Sequence, residues 1–184
     1  MPGLDPAEPN APDLAAVVKA ARDAGLAHVV IGGFSVIAHG YVRATKDCDL
    51  LIPDGRAADE AACGFLTSVG ATRLRDGQPI ELEDIAGREH LRVHSRHGLI
   101  DLIRGGLAPL DFETVDRNAS DVELFGETVR IASLESVVGF KRLAGRPQDN
   151  GDLRELEAIY GDLPITSIPG LDDDIGTKEP GSHS

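Results

Sequence analysis

The chain has 184 residues, with 31 acidic against 18 basic side chains and a formal charge of −13. That length suits one domain, 41% hydrophobic residues supply one contiguous core, and the charge disfavours broad binding to nucleic-acid backbones. No apolar run reaches the roughly 18 residues of a spanning helix, and MPGLDPAEPNAP lacks the basic start and apolar stretch of a signal peptide, so a cytoplasmic protein with no membrane partner is expected.

Residues 1–9 and 163–184 are rich in Pro, Gly, Asp and Ser and read as tails, the second one acidic and disordered. Leu14, Val17, Val18 and Ala21 recur at helical spacing behind Asn10 and Pro12, and Gly25 stops that helix. His28 to Ile31 is a β-branched run that ends at Gly32-Gly33, with a brief helix over Phe34 to Gly40. Asp47 to Ile52 is a second strand, closed by Pro53-Asp54-Gly55 ahead of an Ala-rich helix that stops at Gly70. Glu89 to Val93 and Leu99 to Ile103 form a strand pair across a short polar turn, and Val122, Leu124, Val129 and Ile131 make a small hairpin about Gly126. Ser133 caps a helix that stops near Gly145; its apolar stripe of Leu134, Val137 and Val138 continues at Lys141, so a charge points inward or along the rim. A last helix starts near Pro147, buries Leu153, Leu156 and Ile159, and stops near Gly161.

Side chains alternate across a strand, so Asp47 and Asp49 share one face about 7 Å apart while Cys48 faces away. Two carboxylates at that spacing repel, and a hard cation with oxygen ligands compensates them. Asp101 sits within the apolar strand Leu99-Ile100-Asp101-Leu102-Ile103, where a lone charge is costly and demands a partner or a metal. Cys48 and Cys63 lack zinc spacing and read as reduced thiols. His90, His94 and His97 do not make a metal site, because His90 and His94 lie about 13 Å apart along one strand.

The segment GGFSVIAHGYVRATKDCDLLI, residues 32–52, resembles the nucleotidyltransferase superfamily related to DNA polymerase β, particularly its small prokaryotic members. The family pattern of a glycine turn, an Asp-x-Asp and a third carboxylate on a neighbouring strand is matched by Gly32, Gly33, Asp47, Asp49 and Asp101. Residues 132–159, ASLESVVGFKRLAGRPQDNGDLRELEAI, look like the C-terminal helices of nucleotidyltransferases resembling abortive-infection and toxin-antitoxin toxins. The resemblance covers roughly residues 14–160. It implies a nucleotidyltransferase-like α+β fold, with a catalytic domain over 10–131 and a helical segment over 132–162. The expected sheet is mixed, mainly antiparallel and of four to five strands.

The resemblance further implies transfer of a nucleoside monophosphate from a nucleoside triphosphate to an acceptor hydroxyl on a small molecule or protein. The implied cofactor is magnesium or manganese on Asp47, Asp49 and Asp101, with Asp101 facing the acceptor and either lowering the hydroxyl pKa through the metal or taking its proton. For the nucleotide, Gly32 and Gly33 let backbone approach phosphate, and Ser35 adds a hydroxyl donor. An Arg-x-Thr ahead of the Asp-x-Asp is common in the family; Arg43, beside Thr45, either clamps phosphate or neutralises the acids as an ion pair. Lys141 reaches phosphate or merely covers core with its stem. Arg142 and Arg146 lie on solvated faces or pair with Asp149 and Asp152. An inactive interaction module or toxin-antitoxin component is the alternative. The sequence demands neither a homodimer nor an antitoxin partner and admits both.

Overall fold

In the computed structural model, which describes residues 11–173, the Asp13 carboxylate accepts a hydrogen bond from the Ala16 backbone N–H and so starts the first helix, α1 (Leu14–Asp23). The chain then runs β1 (Val29–Ile31), α2 (Gly32–Ala38), β2 (Asp47–Ile52), α3 (Arg56–Ser68), β3 (Thr72–Arg73), α4 (Leu82–Ile85), β4 (His90–Ser95), β5 (Gly98–Arg104), α5 (Phe112–Asn118), β6 (Ser120–Leu124), β7 (Glu127–Ile131), α6 (Leu134–Ala144) and α7 (Pro147–Tyr160). None of these helices is long and apolar enough to cross a membrane.

All seven strands join one mixed sheet in the order β3-β4-β5-β2-β1-β7-β6. The expected four to five strands are therefore corrected to seven. The β6–β7 hairpin joins the main sheet because β7 runs parallel to β1, and the added edge strand β3 is too short for any periodicity to reveal. β1 to β2, β3 to β4, β4 to β5 and β6 to β7 are antiparallel, whereas β2 runs parallel to β5.

Strict alternation along the central strands divides the core. Val30, Cys48, Leu50, Ile52, Val93, Ile100 and Leu102 pack with α1 and α3 residues such as Val17, Phe65 and Leu66. Val29, Ile31, Leu51 and Ile103 face the other way, against Val137 of α6 and Leu156 of α7. Asp47, Asp49 and Asp101 follow this second alternation, so the acids and the two C-terminal helices lie on the same side of the sheet.

Ser133 caps α6 by accepting from the Ser136 N–H, and Gly145 closes it in the left-handed region. The inward face of α7 is not the one expected. Leu156 is buried, but Leu153 is half-buried and Ile159 half exposed, while Asp149 and Asp152 turn inward. Hydrophobic patterning cannot anticipate two buried carboxylates that are tolerated only because cations meet them.

Residues 163–173, assigned to the acidic tail from sequence, run back over α6. Ile168 is buried, Leu163 packs on the core, and Arg142 grips Asp172 at 2.6 and 3.3 Å. The remaining tail assignments, residues 1–9 and 174–184, lie outside the described residues.

Candidate nucleotide and metal site

Four side chains from three strands converge on one face of the sheet, three of them on a single rung. The parallel register of β2 and β5 sets Asp49 opposite Asp101, and the antiparallel register of β4 and β5 sets Arg92 opposite Asp101. Asp47 lies two residues before Asp49, on the same face. Oxygen atoms of Asp47, Asp49 and Asp101 all lie within 4.8 Å of one another, the only such metal-capable group among the described residues.

The three acids are compensated unequally. Asp101 is saturated: His90 Nε2 lies 2.6 Å from its Oδ1, and Arg92 donates to both its oxygens, with Nη2 2.8 Å from Oδ2. The same Arg92 Nη2 contacts Asp47. Asp49 has no cationic side chain within 4.0 Å among the described residues. Burial, then repulsion from Asp47 and Asp101, pushes its carboxyl up to about 7 against the weaker pull of Lys141 and the Gly33 N–H. A site of three convergent oxygen donors, one of them ionised only at a cost, fits a hard divalent cation. Cys48, on the opposite face, has its thiol pushed up by burial and then by Asp49 and Asp47, which leaves it unreactive.

Gly32 and Gly33 are required by their neighbours, Asp49 and Thr45, and not only by the turn. A Cβ on Gly32 would lie 1.9 Å from Asp49 Oδ2, at a residue whose φ is +63°, and a Cβ on Gly33 would lie 2.4 Å from Thr45 Oγ1. Thr45 in turn donates to the Asp47 carbonyl at 3.3 Å. Ser35 is fully buried, and its hydroxyl donates to the Gly32 carbonyl at 2.7 Å; it stiffens the turn and does not line the cavity.

A cavity of about 580 Å³ opens over this rung, bounded on the far side by Val137, Phe140, Lys141, Ala144, Arg146 and Gln148. Behind that wall lies a second charge cluster. Lys141 Nζ sits 2.8 Å from both Asp149 and Asp152, Arg43 grips Asp152 through two bonds at 2.7 and 2.8 Å, and Arg146 Nε meets Asp149 at 2.7 Å. Asp149 and Asp152 are 0% and 1% exposed. Burial opposes ionisation of Asp149, but the bonds from Arg146 and Lys141 outweigh it and hold the carboxyl below its usual range. Three cations share two carboxylates here, leaving a positive excess toward the acids of the sheet. Arg43 therefore bonds to Asp152 and not to the acid triad, and Arg142 pairs with Asp172 and not with Asp149 or Asp152.

Sequence reasoning missed Arg92, and it left His90 without a role once a histidine metal site was rejected. The signal was present in the hairpin: a turn pairing Ser95 with Gly98 forces Arg92 opposite Asp101 by counting back three residues.

No protein-family model matches the sequence, and no curated protein matches it. Solved structures do: the chain has the fold of the nucleotidyltransferases. It superposes on the lincosamide antibiotic adenylyltransferase LnuA, solved with lincomycin, with a TM-score of 0.55 at 14% identity, covering 78% of this chain and 94% of that one. The antibiotic-resistance factor ANT(2'')-Ia matches with a TM-score of 0.54 at 16% identity, over 79% of this chain and 80% of that one. A nucleotidyltransferase-like protein from Paracoccidioides brasiliensis matches with a TM-score of 0.53 at 16% identity, over 79% of this chain and 72% of that one.

Proposed function

We propose that the protein transfers a nucleoside monophosphate from a nucleoside triphosphate to a hydroxyl group on a small-molecule acceptor. The observation that carries this reading is the triad of Asp47, Asp49 and Asp101, closed to within 4.8 Å and facing Lys141 and Arg146 across a cavity large enough for a nucleotide. The acceptor oxygen bonds to the α-phosphorus as the bond to the bridging oxygen breaks, pyrophosphate leaves, and the hydroxyl proton passes to Asp101 as Arg92 releases that carboxylate. Magnesium or manganese on Asp47, Asp49 and Asp101 would neutralise triphosphate charge and acidify the acceptor hydroxyl.

The chain's own residues divide the remaining work. Lys141 and Arg146, which together with Arg43 outnumber Asp149 and Asp152, attract the phosphates. Arg43 positions Lys141 through their shared partner Asp152. Gly32 and Gly33 keep the space beside Asp49 and Thr45 free of side chains.

A net charge of −13 steers cationic acceptors inward and repels polyanionic ones such as tRNA. Two structural neighbours support a small acceptor: LnuA was solved with lincomycin, and ANT(2'')-Ia in complex with adenylyl-2''-tobramycin.

Calorimetric titration of ATP, CTP, GTP and UTP with magnesium, on the wild type and on the Asp47→Ala, Asp49→Ala double variant, tests the reading. Magnesium-dependent binding that collapses in the variant supports it. No binding of any nucleotide by the wild type overturns it in favour of an inactive interaction module.

A further inference from the structure

The residue nearest the centre of the acid rung is a cation of the chain itself. Arg92 reaches across from β4, donates through Nε and Nη2 to both oxygens of Asp101, and touches Asp47 with the same Nη2. Its contacts fall on two of the three carboxylates that would hold a divalent ion, and they use the very lone pairs such an ion needs. Yet Arg92 is more accessible to water than its partners: its side chain is 42% exposed, against 23% for Asp47 and 4% for Asp101. β4 is also flanked on its outer side only by the two-residue strand β3.

We propose that Arg92 is a resident counter-cation that makes the acid triad selective for a metal–triphosphate complex over the free metal ion. A free divalent ion must expel the guanidinium from Asp47 and Asp101 into water, exchanging charge-assisted bonds to carboxylate for weaker bonds to water alone. A metal arriving on a triphosphate brings phosphate oxygens into the same cavity, and the displaced guanidinium, planar and forked, transfers its donors to them. Metal and nucleotide binding are then coupled, each raising the affinity for the other, with Arg92 as the element through which the coupling passes. Arg92 lines the cavity over the triad, so this exchange needs rotation of one side chain and no movement of the sheet.

The inference rests on the nucleotide-transfer reading but fails separately from it. Binding of Mn2+ alone, followed by loss of the free-ion electron paramagnetic resonance signal, is compared for the wild type, Arg92→Gln, Arg92→Lys and the Asp47→Ala, Asp49→Ala double variant. The same proteins are titrated calorimetrically with Mn2+ premixed with inorganic tripolyphosphate, which probes the phosphate arm without commitment to a base. Arg92→Gln is expected to bind Mn2+ alone about tenfold tighter than wild type while binding the Mn2+–tripolyphosphate complex no tighter, because loss of a charged hydrogen-bond partner is worth about 1.5–3 kcal/mol.

Arg92→Lys keeps the charge and guards against a folding defect in the glutamine variant; it is expected to bind Mn2+ alone more tightly than wild type and less tightly than Arg92→Gln. A merely structural arginine would lower thermal stability without raising Mn2+ affinity. Equal Mn2+ affinity in all three proteins, at a site abolished in the double aspartate variant, overturns the role of Arg92 and leaves the metal site standing. Mn2+ and Mn2+–tripolyphosphate binding that survive in the double aspartate variant overturn both.

Discussion

Two clusters of acid, one buried and one partly buried, lie on the same side of this sheet and are built to opposite ends. Asp149 and Asp152, on α7, are enclosed by Lys141, Arg43 and Arg146 and have more positive charge than they need. Asp47, Asp49 and Asp101, on β2 and β5, share one arginine and one histidine, and Asp49 is left to repulsion and burial. A buried carboxylate is stable when a cation of the chain meets it and ligand-seeking when none does. The helical cluster is a scaffold with charge to spare, the strand cluster a demand that the chain alone does not satisfy, and the triphosphate and cation of the proposed function would complement both at once.

Substitutions that separate the two clusters test this contrast. The largest effect is expected from Asp47→Ala with Asp49→Ala: pyrophosphate release in a transfer assay should fall by at least about 10³-fold, while the thermal midpoint holds or rises because two mutually repelling acids are gone. Asp152→Ala should do the reverse to stability. It strips Lys141 and Arg43 of a shared partner and should cost about 3 kcal/mol in urea unfolding, and an unchanged midpoint would mean that the network is idle. Gly32→Ala places a methyl group on the Asp49 carboxylate at a residue of positive φ; a loss of about 1–2 kcal/mol and weaker magnesium–nucleotide binding are expected together.

A last contrast concerns pH. The Asp49 carboxyl is raised to about 7 in the folded protein from its ordinary value of 3.8, so between these limits the folded state keeps a proton that the unfolded state releases. The contribution of Asp49 to stability in the absence of divalent ions is therefore fully present below about pH 4 and is lost as pH rises through about 7. Asp49→Asn should abolish this slope in denaturation curves recorded in chelator at pH 5 and pH 8. A slope that persists would assign the proton to another group.

Much of the frame was legible because it obeys simple periods. The strand Asp47–Ile52 has the bounds its alternation gives, and Ser133, Gly145 and the inward Lys141 follow from capping and a 3.6-residue stripe. What escaped has no period to display. β3 is two residues long, α4 is four, and α5 is seven with one buried residue. The inward face of α7 escaped because the pattern counts Asp149 and Asp152 as solvent-facing, and it takes Lys141 and Arg43 from distant segments to reverse that. Within the site, the pairing of Asp47 with Asp49 is a local property of one strand, whereas Arg92 over Asp101 is a property of register between strands.

The position of the rung within the sheet also bears on backbone motion. β2 and β5, which carry the three acids, each have strands bonded on both sides, and residues of both contribute to the two halves of the core. Amide hydrogens in Cys48–Leu51 and Ile100–Leu102 should accordingly be among the last to exchange with deuterium, opening only when the whole domain opens, while β4, bordered by a two-residue strand, should open earlier by local fraying. The carboxylates thus ride on the part of the chain with the slowest clock, and the arginine facing them on a part with a faster one.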